Sequence, residues 1–180
     1  EITKGLSGGE TQRVAVATEN MALCEWGLGR LSAALPMFDR ALAVMPQGYP
    51  DLTLIALSNS ALAHHGAGRF DDSLRLNGQV IDLATRLQMS RLGARGYYGM
   101  GITYYAIGDR ELAARFLHSA LDTLTPDLDA RTRVATLRAL AVIESETGDF
   151  KQATAHDSEA LRLATAPSVR SRILLRLATD

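Results

Sequence analysis

Four histidines and one cysteine are the first candidates in this chain for binding a metal ion or acting as a nucleophile. His64 and His65 are adjacent, and adjacent helical positions point about 100° apart, so the two rings cannot chelate one ion together. His118 and His156 lie in different predicted repeat units, and no cysteine accompanies either of them. We therefore expect ordinary surface or groove histidines and no metal or other cofactor.

Cys24 is the single cysteine of the sequence. An internal disulfide and a cysteine metal cluster are therefore both excluded. No histidine lies near it in the sequence to act as a base, so we expect a buried, inert thiol. A reducing cytoplasm is the default compartment for such a chain.

A glycine-containing segment near the start, LSGGETQRVA over 6–15, could hold a phosphate. It looks like the signature loop of ABC-type ATPases, in which backbone amides and a serine at a helix start bind the γ-phosphate. The chain contains no G-x-x-x-x-G-K-[ST] loop to accompany it. A serine followed three residues later by glutamate is also a capping box, so Ser7 and Glu10 predict a helix start without a ligand.

Charged clusters offer weaker signals. The carboxylate pairs Asp71–Asp72 and Glu144/Glu146 are predicted to lie on solvated faces, the first pair at a helix start where negative charge is favoured. An arginine cluster in the last third could meet an acidic partner or nucleic acid, but we expect it to form a solvated or interdomain face; its members are Arg131, Arg133, Arg138, Arg170, Arg172 and Arg176. No nucleophile–base–orienter set is found, so we expect no enzyme.

Length and composition limit the remaining possibilities. At 180 residues the chain can form one domain or a short solenoid, and 47% apolar residues are ample for a core. No apolar run reaches the roughly 18 residues of a membrane span. A net charge of −1 argues against direct nucleic-acid contact and against anionic lipid. The sequence begins with Glu1 rather than Met, and we expect it to be a fragment of a longer protein.

Glycine and proline breaks divide the chain into nine predicted helices. We expect four helix pairs and an extra helix in one domain; the units span about 10–46, 51–88, 90–125 and 127–166, and the extra helix 168–180. Ser90, Asp109 and Asp149 are expected to be N-caps. Pro36 predicts a late start or a small kink, and Pro126 a helix start.

The turn glycines recur at a nearly constant period. Gly29, Gly68, Gly108 and Gly148 are separated by 39, 40 and 40 residues. Three positions in phase with them are small or β-branched: Ala34, Ser73, Ala113 and Ala153; Ala41, Val80, Ala120 and Ala160; Ala22, Ala61, Gly101 and Ala141. A fixed period with two helices per unit predicts an all-α solenoid whose helices approach closely at these positions.

This pattern of small and aromatic positions around a Gly-Asp turn resembles the tetratricopeptide repeat (TPR) family, most clearly over Ala94–Pro126. The resemblance covers nearly the whole chain and implies a right-handed α-solenoid. Ser73 and Asn77 depart from the pattern, and the family's repeat is shorter, at about 34 residues. Long-period arrays of this kind resemble those in large bacterial regulators with LuxR-type or SARP-type DNA-binding domains.

In this family the first helix of each unit lines a concave groove. Positions three, six and ten residues before each turn glycine would then face it. The predicted binding residues are Leu23, Trp26, Leu62, His65, Tyr98, Ile102, Tyr105, Arg138 and Val142, with Glu19, Ser58 and Ser145 at equivalent positions. The stripe suits a peptide or an amphipathic helix. The carboxylate clamp of chaperone-binding members is absent, since Glu19 and Leu23 stand where it would start.

The sequence thus predicts a non-catalytic module that binds a protein or peptide segment, as the sensor or interaction part of a larger bacterial transcriptional or signalling regulator. The alternative is a self-assembling scaffold. In that case the apolar residues Ile173, Leu174, Leu175 and Leu177 of the last helix would pack on another copy.

Overall fold

The computed structural model describes residues 7–45, 48–124 and 129–178. Within these residues the regular secondary structure is entirely α-helical, with short turns between the helices. The helices are α1 (Gly8–Gly27), α2 (Leu31–Ala43), α3 (Pro50–Gly66), α4 (Phe70–Arg86), α5 (Ser90–Ile107), α6 (Arg110–Thr123), α7 (Ala130–Thr147), α8 (Phe150–Leu163) and α9 (Pro167–Leu177). The bounds agree with the predicted helices to within a few residues.

The chain divides into two compact units, the first ending at Leu87 and the second beginning at Gln88. In unit 1, α1 packs on α2 and α3 on α4, while α2 contacts α3 and α1 contacts α3. In unit 2, α5 packs on α6 and α7 on α8, with further contacts of α6 with α7, α5 with α7, and α8 with α9. Each unit therefore consists of consecutive helix pairs whose first helices touch.

The turn within each pair requires a left-handed backbone. Gly29, Gly68, Gly108 and Gly148 have φ values of 77°, 72°, 97° and 86°, which glycine adopts without a steric cost. These residues also donate to carbonyls of the helix that they close, as Gly108 N does to Tyr105 O at 3.0 Å. The glycine period of the sequence is therefore the period of the helix pairs.

The small residues in phase with these glycines are all buried. Ten of them are buried apolar residues of the core. The other two, Gly101 and Ser73, are buried as well. Gly101 shows the closest approach, since a Cβ there would lie 2.6 Å from Leu117 Cγ. The prediction that small side chains allow the paired helices to approach is confirmed.

Several local predictions are confirmed and others are wrong. Ser7 and Glu10 form the capping box, and Asp109 and Asp149 accept hydrogen bonds from the amides of Leu112 and Gln152. Ser90 is not an N-cap, because α5 begins at that residue after Met89. α2 runs through Pro36 from Leu31 and does not start late. The start predicted at Pro126 lies outside the described residues, and α7 begins at Ala130.

Candidate binding surface

The nine predicted binding residues have one property in common. All are half-buried, whereas the small residues of the same helices are inaccessible. Four lie in unit 1, and we call them the unit-1 stripe: Leu23 and Trp26 on α1, Leu62 and His65 on α3. Five lie in unit 2, the unit-2 stripe: Tyr98, Ile102 and Tyr105 on α5, Arg138 and Val142 on α7. These side chains thus present apolar surface at the boundary between core and solvent.

The unit-1 stripe rests on the core that joins α1, α2 and α3. Trp26 and Leu23 pack against a buried cluster that includes Phe38, and the Trp26 and Phe38 rings meet edge to face at 6.3 Å. The indole therefore has a fixed orientation. Its Nε1 lies 3.8 Å from where a Cβ of Gly66 would stand, so α3 also limits its position.

His65 is the polar member of the unit-1 stripe. Its ring lies 5.9 Å from the Phe70 ring, and burial lowers the pKa of the imidazole. Because the ordinary pKa of histidine is already about 6.5, the ring is neutral at neutral pH. It can therefore form a hydrogen bond with a ligand without adding a charge to the surface.

In the unit-2 stripe, three residues converge on one apolar pocket. Ile102 and Tyr105 from α5 meet Val142 from α7 around a cavity of about 110 Å³ that Leu117, Ala139 and Ile143 also line. Tyr98 and Tyr105 both pack against the buried cluster beneath it. A cavity of this size accommodates one small apolar side chain.

The Tyr105 hydroxyl is held by a polar network at the rim. It donates to Glu146 Oε1 at 2.5 Å, while Arg110 Nε donates to the other carboxylate oxygen at 2.9 Å. The hydrogen bond to Glu146 raises the pKa of Tyr105, and the hydrogen bond from Tyr105 lowers the pKa of Glu146. The phenol therefore remains protonated and the carboxylate ionised, which keeps the ring in place.

Tyr98 and Arg138 form the other end of the unit-2 stripe. Burial raises the pKa of the Tyr98 phenol, and the nearby Arg138 charge offsets part of that effect. The phenol is neutral at physiological pH, and Arg138 brings a positive charge to the edge of an otherwise apolar surface.

Two residues at equivalent sequence positions do not belong to this surface. Glu19 is buried and accepts a hydrogen bond from Asn59 Nδ2 at 2.6 Å. Ser58 is buried and donates to the Leu54 carbonyl at 2.7 Å. The prediction that both face the groove is wrong, because both side chains are buried, whereas Tyr98 and Arg138 at the same offset from their glycines are half-buried. Ser145 is half-buried, as the stripe residues are.

The histidine and cysteine predictions need correction. His64 is 2% exposed and lies between the carboxylates of Asp39, at 3.4 Å, and Asp72, at 3.7 Å, so it is not a surface or groove residue. Cys24 is exposed, not buried. It lies two residues after the buried Ala22, and two helical steps place it on nearly the opposite face. Among the described residues, no three His, Cys, Asp or Glu side chains converge as a metal site.

Several charged residues have partners across helices that the sequence did not indicate. Glu144 Oε2 lies 2.8 Å from His156 Nδ1, so neither Glu144 nor Glu146 belongs to a purely solvated face. Three of the clustered arginines have structural partners: Arg133 with Glu159, Arg170 with the last carbonyls of α8, and Arg176 with Asp157. These interactions hold the C-terminal helices together.

No helix in the described part of the chain is long and apolar enough to cross a membrane.

Comparison with known proteins finds a repeat-family match over part of the chain and similar folds over nearly all of it. The tetratricopeptide repeat model matches residues 12–86, less than half of the chain. No curated protein sequence is a significant match. The structure is similar to BtubC (BKLC) from P. vanneervenii, with 16% identity and a TM-score of 0.75 over 96% of this chain and 78% of that chain.

Two further structures are similar. The TPR-like repeats of a protein assigned as a kinesin light chain from Podosopora anserina share 16% identity and a TM-score of 0.72, over 94% of this chain and 85% of that chain. The apo form of RapI shares 12% identity and a TM-score of 0.77, over 95% of this chain and 48% of that chain.

At such low identities the similarity shows the fold alone. Tetratricopeptide repeats in general are non-catalytic modules that mediate protein–protein interaction. The resemblance to LuxR-type or SARP-type regulators stays a prediction. The chain has the fold of an all-α solenoid of paired helices, and residues 12–86 match the tetratricopeptide repeat family.

Proposed function

We propose that the chain is a non-catalytic module that binds a protein or peptide segment through the unit-1 stripe, the unit-2 stripe or each of them, as a cytoplasmic sensor or interaction segment of a larger bacterial transcriptional or signalling regulator. The observation that supports binding is the half-burial of all nine stripe residues beside fully buried small residues. Apolar and aromatic side chains held in fixed orientations lose little conformational entropy on binding, which favours their use as anchors.

Trp26 and Tyr105 are the expected anchors, one in each unit. A peptide ligand selected on the 180-residue chain from an unbiased display library serves as the probe. Trp26→Ala, Tyr105→Ala or both should weaken its binding by about tenfold or more, according to the stripe that it contacts, since buried aromatic anchors dominate such interfaces. Isothermal titration calorimetry measures the effect, at a temperature where circular dichroism shows each variant to be folded.

Phe150→Ala is the matched control. Phe150 is an exposed aromatic residue on α8, outside both stripes, and its removal should leave the affinity unchanged. If the Trp26 and Tyr105 variants both bind the peptide as the parent does, the stripes are not the binding surface.

A second candidate function is self-assembly through α9. Ile173 and Leu177 pack in the core of unit 2, but Leu174 and Leu175 are 51% and 69% exposed on the same helix. This alternative predicts a mass that rises with concentration in multi-angle light scattering and returns to the monomer value in Leu175→Asp. Leu28→Asp, a change at another exposed leucine, is the control. A strict monomer at high concentration would exclude assembly.

A further inference from the structure

A second, larger pocket of unit 2 lies where the start of α7 faces the end of α8 and the start of α9. Its cavity of about 340 Å³ is mainly apolar; the lining residues are Ala130, Arg131, Val134, Ala135, Arg138, Leu163, Ala164, Thr165, Ala166 and Val169. Pockets that bind small molecules begin at about 300 Å³. The cavity is therefore large enough for a ligand of about ten non-hydrogen atoms.

The two charged residues of this pocket are both arginines. Among the described residues, neither Arg131 nor Arg138 is paired with a carboxylate, in contrast to Arg133 and Arg176 of the same unit. The nearby Asp129 carboxylate accepts hydrogen bonds from the Thr132 amide and hydroxyl at 3.1 and 2.8 Å. These hydrogen bonds leave the Asp129 charge in place beside the pocket, but among the described residues no carboxylate forms an ion pair with either guanidinium.

The start of α9 adds to this positive potential. Ala166, its N-cap residue, cannot cap the helix with its side chain, and Val169 in the first turn lines the pocket. Pro167 has no amide hydrogen and the Val169 amide donates to the Ala166 carbonyl at 3.1 Å, so the helix start acts mainly through the positive end of the helix dipole. An anion in the pocket would therefore meet two guanidinium groups and a helix terminus, while apolar walls would contact the rest of the ligand.

We infer that this pocket binds a small monocarboxylate with an unbranched apolar chain. A guanidinium pairs with a carboxylate through two parallel hydrogen bonds, and the alanine, valine and leucine walls match an alkyl chain. The inference goes beyond the proposed peptide binding and does not depend on it, although Arg138 also belongs to the unit-2 stripe. Such a ligand would make the chain a receptor for a small amphipathic anion.

Octanoate, titrated into the full 180-residue chain, is the probe for this site. In ¹H–¹⁵N NMR spectra it should shift saturably the amides of the first turns of α7 and α9 and of Leu163–Ala166. Octylammonium, which has the same chain and the opposite charge, and acetate, which lacks the chain, should not do so. No saturable shift with octanoate up to about 10 mM, or equal shifts with octylammonium, would overturn the inference.

Variants test the charged part and the apolar part of the pocket separately. Arg131→Gln and Arg138→Gln should each weaken octanoate binding by about tenfold, because each removes a hydrogen bond between charged groups. Ala135→Leu, which fills the cavity and keeps both arginines, should weaken it by at least about fivefold. Arg115→Gln changes an exposed arginine on α6 outside the pocket and should have no effect. Equal effects of the Arg115 and Arg138 variants would contradict a specific site.

Discussion

Replacing Arg176 by methionine is expected to lower the free energy of unfolding by about 2–3 kcal/mol, since removing one partner of a buried ion pair leaves an uncompensated charge. Asp157 on α8 is 0% exposed, and Arg176 Nε of α9 donates to its Oδ2 at 2.7 Å. The cost of an unpaired buried carboxylate can reach about 3–5 kcal/mol, but α9 can detach and let water reach Asp157. The loss of stability therefore cannot exceed the free energy with which the packing of Ile173 and Leu177 holds α9 on the core.

Chemical denaturation measures this change, and two further variants control for it. Arg172→Met alters an arginine of the same helix whose Nε donates at 3.3 Å to the Ser168 carbonyl, one turn earlier on α9. The free energy of unfolding of this variant should lie within about 0.5 kcal/mol of the parent value. The double variant Asp157→Ala/Arg176→Met should be less destabilised than the sum of its single changes, because no charge remains buried. Additive costs would show that the pair does not couple the two helices.

Gly101→Ala should destabilise the chain by about 1–3 kcal/mol, as overpacking of a close helix contact usually does. The added Cβ would lie 2.6 and 2.8 Å from Leu117 Cγ and Cδ2 and 3.2 Å from the Ala113 carbonyl oxygen. The end of a long side chain can move aside by rotating about its bonds, but the Cγ of leucine and a backbone oxygen cannot. The helices α5 and α6 would have to separate.

Gly78→Ala is the same chemical change in the interior of α4, where, apart from the adjoining backbone of the helix itself, no described atom lies within 4 Å of the new Cβ. Alanine there should stabilise the chain by about 0.5–1 kcal/mol through helix propensity alone. Thermal and urea denaturation of both variants should thus give effects of opposite sign. A stabilising Gly101→Ala would mean that α5 and α6 do not approach as closely as the structure has them.

The repeat could be predicted from the sequence because its signals are local and periodic. Turn glycines mark positions with positive φ, and a side chain at a fixed distance from such a turn has a fixed direction on its helix. The burial of Ala34, Ala113 and Ala153 follows from that rule alone. The half-burial of Trp26 and Tyr105 follows from the same phase.

The misplaced residues are those whose surroundings come from another helix. His64 is covered by α2 and α4, and its partners Asp39 and Asp72 are 25 and eight residues away in the sequence. Glu144 reaches His156 on the next helix. The spacing of apolar residues does not specify such pairs, because a polar partner can lie at any of several positions while the apolar residues keep the same spacing.

Neither the uncapped start of α9 nor the pocket at Arg138 could be predicted from the sequence. The arginines of the last third form one cluster by composition, yet Arg133 and Arg176 form ion pairs while Arg131 and Arg138 line a cavity. That division depends on where Glu159 and Asp157 lie on α8.

The central proposal is that the first helix of each pair provides the binding surface. Backbone amide NMR of the chain, titrated with the selected peptide, tests it most directly. The account predicts that the largest shifts fall on α1 and α3 around Trp26 and His65, on α5 and α7 around Tyr105 and Val142, or on both stripes. Shifts confined to α2, α4, α6 and α8, or to the exposed leucines of α9, would contradict it.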